Sequence, residues 1–175
     1  MRKIVVLVGP SGSGKTSLAN WAVTQGFYKP ITCTTRNKRD GEVEGVDYFF
    51  LSVEAFKNKI KFEQMADYDE AFGTFYGVEK SQFNICNSDI IIPATFKGVA
   101  NLKRYFSNVV SIFLKPPSEA KLIERMRLRN MSQTLIDERV NSFRFEMLHM
   151  SKCDYIVSTD QAISKSCAEL GMIIL

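Results

Sequence analysis

The residues best suited to chemistry form a short glycine-rich segment, Gly9–Ser17, directly after the apolar run 4–8. Its spacing is G-x-x-x-x-G-K-T, which ends on Lys15 and Thr16. Small residues let several backbone N–H groups converge on one anion, and a following helix adds the positive end of its dipole. The pattern predicts a phosphate loop in which Lys15 contacts the β- and γ-phosphates and Thr16 is a ligand of Mg²⁺. The predicted ATP-binding residues are Gly9, Pro10, Ser11, Gly12, Ser13, Gly14, Lys15, Thr16 and Ser17.

A second group of anion-binding side chains lies further along the chain. Arg36, Arg39, Tyr48 and Tyr76 occur in Gly- and Thr-rich stretches that we interpret as turns. Two guanidinium groups and two phenolic hydroxyls can grip one phosphate through charge-assisted hydrogen bonds. Arginines three residues apart are also common on ordinary solvated surfaces, so the residue types alone leave both interpretations open.

The elements that must position these groups follow an alternating pattern of short apolar runs and helical stretches. This alternation predicts one α/β domain with a parallel sheet and crossover helices. We expect strands near 3–8, 89–93, 109–114 and 154–158. We expect helices near 15–25, 95–105, 118–128, 134–149 and 160–170. Residues 31–78 break the alternation and predict a small mixed β insert.

Turn and capping signals divide the second half of the chain. Ser118 is placed to cap one helix, and Ser132 or Thr134 to cap the helix that carries Arg139. Segment 129–135 interrupts the helical pattern and predicts the tip of a lid. Closure of such a lid would expel water from the site and suppress hydrolysis.

At this point the sequence resembles a known family. The segment TTR-x-x-R-x-GE-x-x-G-x-DY-x-F, residues 34–50, is similar to the guanylate kinase signature. The resemblance runs from the phosphate loop to about residue 160. Further matching motifs, in the family's order, are Tyr76-Gly77, Pro116-Pro117-Ser118, Arg125, Arg129, Arg139 and Glu146.

The resemblance implies a P-loop nucleoside monophosphate kinase that uses ATP and Mg²⁺. Its parts would be a core (1–30 and 79–175), an insert that binds the nucleoside monophosphate (31–78) and a helical lid (about 126–139). The implied catalytic residues are Lys15, Arg125, Arg129 and Arg139. The implied residues for the nucleoside monophosphate are Thr32, Arg36, Arg39, Tyr48, Asp67, Tyr76 and Thr95. Fixed cations around the transferring phosphoryl group suit this chemistry, because its charge spreads over three oxygens.

The positions that would read the base depart from the family pattern. Asp67 aligns with a base-reading glutamate but is one methylene shorter, and Glu63 is a competing assignment. Asp67 also fits a solvated acidic turn with its neighbours at 69 and 70. Val78 stands where a Ser or Thr is usual, and Pro93 and Thr95 replace the two acids of a D-x-D pattern. These changes weaken the case for guanine more than the case for phosphoryl transfer.

Three functions follow, of which the first accounts for most of the motifs. It is ATP-dependent phosphorylation of a nucleoside monophosphate, above all GMP or dGMP to GDP or dGDP. The second is a related kinase with another acceptor, such as ribose 1,5-bisphosphate or a different nucleotide, which the Tyr-Gly-Val at 76–78 would suit. The third is a non-catalytic guanylate-kinase-like module that binds phosphopeptides, although such modules have degraded phosphate loops.

The composition of the chain narrows its possible partners and its localisation only slightly. The net charge of +4 is explained by the anion-binding residues, so we expect no nucleic-acid partner. The four cysteines form no CxxC pair, and no apolar run approaches the length of a membrane span. We therefore expect a cytoplasmic protein without a membrane partner. For its assembly we expect a monomer or a homodimer.

Overall fold

The computed structural model describes residues 2–71, 73–128 and 130–175, and its regular elements fall into two sheets with helices around them. The strands are β1 (Ile4–Val8), β2 (Thr32–Thr34), β3 (Tyr48–Phe50), β4 (Met65–Ala71), β5 (Thr74–Glu79), β6 (Ile90–Pro93), β7 (Val109–Lys115) and β8 (Tyr155–Ser158). The helices are α1 (Lys15–Thr24), α2 (Val53–Lys61), α3 (Phe96–Tyr105), α4 (Glu119–Arg127), α5 (Gln133–Met147) and α6 (Ile163–Ile174). Short 3₁₀ turns occupy Lys80–Asn84 and Met150–Lys152.

The first sheet is parallel, with the strand order β6-β1-β7-β8. The strand β1 is buried along its whole length because helices cover both faces of the sheet. Val5 and Leu7 pack with α1 and α6, whereas Ile4, Val6 and Val8 pack with α3, as expected from the two-residue period of a strand. The predicted parallel α/β core is confirmed.

Helices α4 and α5 begin where the capping signals indicated. Ser118 and Ser132 cap α4 and α5, and the side chain of each accepts a hydrogen bond from a backbone N–H in the first turn. Thr95 caps α3 in the same way. The left-handed Gly26 follows the end of α1.

The second sheet is mixed and has the order β3-β2-β5-β4. The strands β2 and β3 are parallel, and β5 runs antiparallel to both β2 and β4. The helix α2, capped by Ser52, packs Phe56 against this sheet and was not predicted. The alternative interpretation of Asp67, Asp69 and Glu70 as an acidic turn is wrong, because they lie on strand β4. The expectation that Tyr48 and Tyr76 lie in turns is also wrong, because they lie on strands β3 and β5.

Polar contacts join the two sheets where the chain passes between them. The side-chain oxygen of buried Gln82 accepts hydrogen bonds from the Tyr28 hydroxyl (2.9 Å) and from the Ile31 N–H (3.0 Å). Strand β4 also lies against helix α3. In the described residues, no helix combines the length and apolarity needed to cross a membrane.

Candidate active site

The glycine-rich segment forms a tight loop between β1 and α1. Gly9 has a φ of +145°, and a side chain there would meet the Leu114 carbonyl oxygen at 2.7 Å. The Ser13 N–H donates to the Pro10 carbonyl at 3.0 Å and closes the loop. Gly14, with a φ of +95°, turns the chain into α1. Close packing and left-handed backbone therefore require glycine at both ends of this loop.

The cation and hydroxyls predicted at this loop are on the first turn of α1. Lys15 Nζ donates to the carbonyl oxygens of Gly9 and Pro10, the latter at 3.0 Å, so the ammonium lies over the loop. Thr16 and Ser17 are exposed at the same helix start. The Thr16 hydroxyl is therefore open to ligands that approach the positive end of the helix dipole.

Two of the predicted arginines reach the same loop from different helices. On α4, Arg125 Nη1 donates to the Gly12 carbonyl at 3.2 Å and Nη2 donates to the Thr159 carbonyl at 3.1 Å. On α5, Arg139 Nη1 donates to the Ser11 hydroxyl. Residue Arg129, predicted as a third, lies outside the described residues. Three cations, on α1, α4 and α5, thus converge on residues 9–12.

Three of the predicted acceptor-phosphate residues, Arg36, Tyr48 and Tyr76, come together at the second sheet, beside an ion pair that Arg36 forms. Arg36 binds Glu42 through two contacts, Nη2 to Oε1 at 2.7 Å and Nη1 to Oε2 at 3.0 Å. Its guanidinium lies 5.4 Å from the Tyr48 ring centroid, and the Tyr48 and Tyr76 rings are 6.5 Å apart. Arg39 is exposed, and its backbone N–H donates to Glu42 Oε2 at 2.8 Å.

This ion pair affects the titration of both partners. The hydrogen bonds raise the pKa of Arg36 and lower the pKa of Glu42. Burial raises the pKa of Tyr48, whose hydroxyl therefore stays protonated and able to donate. In the sequence, Glu42 stood out only as part of the motif. The structure shows that its carboxylate binds the guanidinium of Arg36 and the backbone N–H of Arg39.

The candidate base-reading residues are placed less uniformly. Thr32 begins β2 and is half-buried. Asp67 on β4 is 8% exposed and faces α3, whereas Glu63 is exposed in the turn after α2. Thr95 uses its hydroxyl to accept from the Gly98 N–H at 3.2 Å. Val78 is buried in the hydrophobic core, so its departure from the family pattern serves packing.

Two residues beside Asp67 escaped prediction. Asn101 Nδ2 donates to Asp67 Oδ1 at 2.8 Å, and any side chain at Gly98 would overlap Asp67 Oδ2. Both lie on α3, and together with Thr95 they are spaced three residues apart, which places them along one face of the helix. This row of small and polar residues on α3 was the one signal in the sequence that could have pointed to them. The sequence did not indicate that the row contacts Asp67 on β4.

Comparisons with known proteins all point to one family. The family model described as guanylate kinase matches residues 1–175. The chain is 34% identical over 160 residues to a guanylate kinase of Hydrogenovibrio crunogenus, covering 88% of this chain and 78% of that protein. It is 32% identical over 163 residues to a guanylate kinase of Rickettsia prowazekii, covering 90% and 83%.

A solved structure extends the likeness to the fold. The crystal structure of guanylate kinase from Anaplasma phagocytophilum matches with a TM-score of 0.79 and 28% identity, over 98% of this chain and 84% of that one. The predicted fold class and the predicted resemblance are both confirmed. These relatives favour the first of the three predicted functions over the other acceptor kinase and the non-catalytic module. The chain belongs to the guanylate kinase family.

Proposed function

We propose that this chain transfers the γ-phosphoryl group of ATP to GMP or dGMP and releases ADP with GDP or dGDP. The observation that carries the proposal is the convergence of Lys15, Arg125 and Arg139 on the phosphate loop. Cations fixed on three separate helices can surround a phosphoryl group as it moves between two phosphates.

In the proposed reaction, an oxygen of the acceptor phosphate attacks the γ-phosphorus in line. The bond from that phosphorus to the β–γ bridging oxygen breaks, and the leaving ADP carries away its electron pair. Lys15 neutralises charge at the β- and γ-phosphates, and Arg125 and Arg139 stabilise the equatorial oxygens. We propose the same role for Arg129. Little general-base chemistry is needed, because the attacking phosphate oxygen is already anionic.

Guanylate kinases are kinases that require a divalent metal, and we propose Mg²⁺ as its identity here. The donor set fits a metal that arrives with the nucleotide: the exposed Thr16 hydroxyl lies at the loop, and the described residues hold no cluster of three metal-ligating side chains. Magnesium of this kind takes most of its oxygens from phosphates and water. When bound, it neutralises phosphate charge.

The acceptor would bind at the second sheet. We assign its phosphate to Arg36, Arg39, Tyr48 and Tyr76, which supply two cations and two hydroxyl donors. We assign its base to Thr32, Asp67 and Thr95. In support, Arg36, two residues after β2, lies beside Tyr48 on β3, and the Tyr48 ring lies beside Tyr76 on β5. A single carboxylate, that of Glu42, binds the Arg36 guanidinium and the Arg39 backbone N–H.

We propose that the chain has three functional parts, which move relative to one another during the reaction. Residues 1–30 and 79–175 would be the core, 31–78 the insert for the nucleoside monophosphate, and about 126–139 the lid. The support is that the second sheet lies within the proposed insert apart from the last residue of β5, and that α5 carries Arg139 to the loop.

A coupled ADP-release assay over GMP, dGMP, AMP, UMP, CMP, dTMP and ribose 1,5-bisphosphate tests the function. We expect GMP and dGMP to give the highest kcat/KM. Lys15→Ala should reduce turnover to below a few per cent, because it removes the cation at the β- and γ-phosphates. Lys165→Ala, an exposed lysine on α6, is the matched control. A higher kcat/KM for another acceptor, or an active Lys15→Ala protein, would overturn the proposal.

A further inference from the structure

The buried carboxylate of Asp67 has a partner on the opposite side of the boundary between the two sheets. Asp67 lies on β4 of the second sheet, and Asn101 lies on α3, which covers the first sheet, 34 residues away. The amide Nδ2 donates to Oδ1 at 2.8 Å. A hydrogen bond to an ionised and poorly solvated carboxylate is stronger than one between neutral groups.

The second carboxylate oxygen is confined by a glycine. Oδ2 faces Gly98 so closely that no side chain could be accommodated there. Gly98 is in the first turn of α3, where the N-terminal end of the helix dipole favours negative charge. The carboxylate is therefore fixed at one oxygen by the Asn101 amide and at the other by packing on α3.

This fixation matters because an aspartate has a short reach. A carboxylate oxygen has two lone pairs, so Oδ1 can still accept from a ligand while it accepts from Asn101. Burial raises the pKa of Asp67, and the hydrogen bond from Asn101 offsets part of that rise, which helps Asp67 to remain an acceptor. Of the nearby charged groups, Asp69 raises this pKa and Lys97 lowers it.

We propose that Asn101 is a positioning residue for acceptor selectivity: it orients the Asp67 carboxylate to accept from the N–H edge of a 6-oxopurine base. The inference rests on the proposed function and on the assignment of Asp67 to the base. Guanine presents a ring N–H and an amino group on that edge, whereas hypoxanthine presents the ring N–H alone. A well-oriented carboxylate therefore discriminates GMP from IMP, and a loosely held one does so less.

The contact between Asn101 and Asp67 could instead serve only to attach β4 to α3. A neighbouring ion pair between the same two elements provides a control for that explanation. Lys97 Nζ on α3 lies 3.1 Å from Asp69 Oδ1 on β4, and the lysine side chain is 60% exposed. This ion pair joins the same two elements without a hydrogen bond to Asp67, and solvent around the exposed lysine screens the effect of its charge on that carboxylate. Lys97→Ala is therefore the matched control for a general loosening of the boundary.

The test is steady-state kinetics of Asn101→Ala, Asn101→Gln and Lys97→Ala with GMP, IMP and ATP, together with the melting temperature of each protein. Asn101→Ala should raise the GMP KM about tenfold and lower the preference for GMP over IMP, while kcat and the ATP KM change less than about twofold. Asn101→Gln, which keeps the amide, should recover part of the GMP affinity. Lys97→Ala should leave the GMP KM within about twofold.

Asn101→Leu provides a second route should Asn101→Ala fold poorly. It keeps a side chain of similar size and shape but removes the amide donor, and it should raise the GMP KM selectively. An unchanged GMP KM in Asn101→Ala, an equal rise in the ATP KM, or the same effect from Lys97→Ala would overturn the inference. A wild-type protein that does not phosphorylate GMP would overturn the proposed function, whereas an active wild type with an unaffected Asn101→Ala variant would overturn only this inference.

Discussion

The guanidinium of Arg36 is held by both carboxylate oxygens of Glu42, at 2.7 and 3.0 Å. The same carboxylate accepts from the Arg39 backbone N–H at 2.8 Å. Glu42 thus orients the Arg36 guanidinium and holds the backbone at Arg39 before any phosphate arrives, which lowers the entropy cost of binding. We expect Glu42→Gln to raise the GMP KM about tenfold and to change the ATP KM less than twofold.

The measurement is initial-rate kinetics with each substrate varied in turn. Glu54→Gln is the control, because Glu54 is an exposed glutamate in the first turn of α2. A fall in the GMP KM of Glu42→Gln would show that the carboxylate competes with the phosphate and does not orient its ligands.

Arg125 bridges two carbonyl oxygens, those of Gly12 and Thr159. A lysine has one ammonium group and cannot reproduce this planar two-donor geometry. Arg125→Lys should lower kcat about 100-fold with little change in the GMP KM, the pattern of a lost transition-state contact. Arg127→Lys, on the exposed face of the same helix, should keep near wild-type kcat. Equal losses in both variants would refute the assignment of Arg125.

The core of the fold could be predicted because each of its elements carries a local signal. The run at 4–8 is apolar on both faces, as a strand covered by helices must be, and Ser118 and Ser132 stand directly before their helices. The glycine-rich loop is equally local, since its function depends on its own backbone. These features need no knowledge of distant contacts.

The second sheet was harder to predict, because the pairing between its strands determines their structure more than the local sequence pattern does. Strand β4 reads as a polar stretch, yet it pairs antiparallel with β5 and turns Asp67 inward. Helix α2 follows a capping serine, Ser52. The aromatic residues around it made the segment resemble a strand, so its helical spacing was missed. The contact between Asp67 and Asn101 joins residues 34 positions apart, and nothing in the sequence around either one specifies the other.

Asp67 should cost stability in exchange for function. Burial raises its folded-state pKa, so the folded protein binds the proton more tightly than the unfolded chain. Stability therefore falls as pH rises from the unfolded pKa of about 4 through the higher folded value, and the loss persists above it. We expect Asp67→Asn to remove this loss and to have the higher melting temperature at pH 7.

Thermal melts of wild type and Asp67→Asn between pH 3 and pH 8 measure this effect. The difference should be smallest at the acid end and should reach a plateau toward neutral pH. The same variant should bind GMP more weakly, since a neutral amide is a poorer acceptor for N–H groups. A melting-temperature difference that does not depend on pH would contradict the role of ionisation.

Gln82 links the two segments that connect the first sheet to the second, the one before β2 and the one after β5. Its side-chain oxygen accepts from the Tyr28 hydroxyl and from the Ile31 N–H. Gln82→Ala leaves both donors without this acceptor, and we expect a loss of about 1–3 kcal/mol in the free energy of unfolding. Urea denaturation checks it, with exposed Gln25→Ala as the control, for which we expect a change within about 0.5 kcal/mol. Equal stabilities of the two variants would contradict this prediction.

Thr95 offers a way to restore one of the two acids that the family pattern carries. Its hydroxyl caps α3 through the Gly98 N–H, and aspartate caps helices as well as threonine does. Thr95→Asp should therefore fold normally and place a second carboxylate at the start of α3, where Asp67 also lies against Gly98. We expect GMP to bind about tenfold more tightly, because an added carboxylate can accept from its N–H donors.

Calorimetric titration with GMP and IMP measures this gain, and Thr95→Asn is the matched variant because it caps the helix without the charge. Asp67 lies at the same helix start, so the two carboxylates should raise each other's pKa and the gain should shrink as the pH is lowered toward 5. Tighter binding in Thr95→Asn as well would mean that the cap, and not the charge, limits affinity. An unchanged dissociation constant in Thr95→Asp would place Thr95 outside the base pocket.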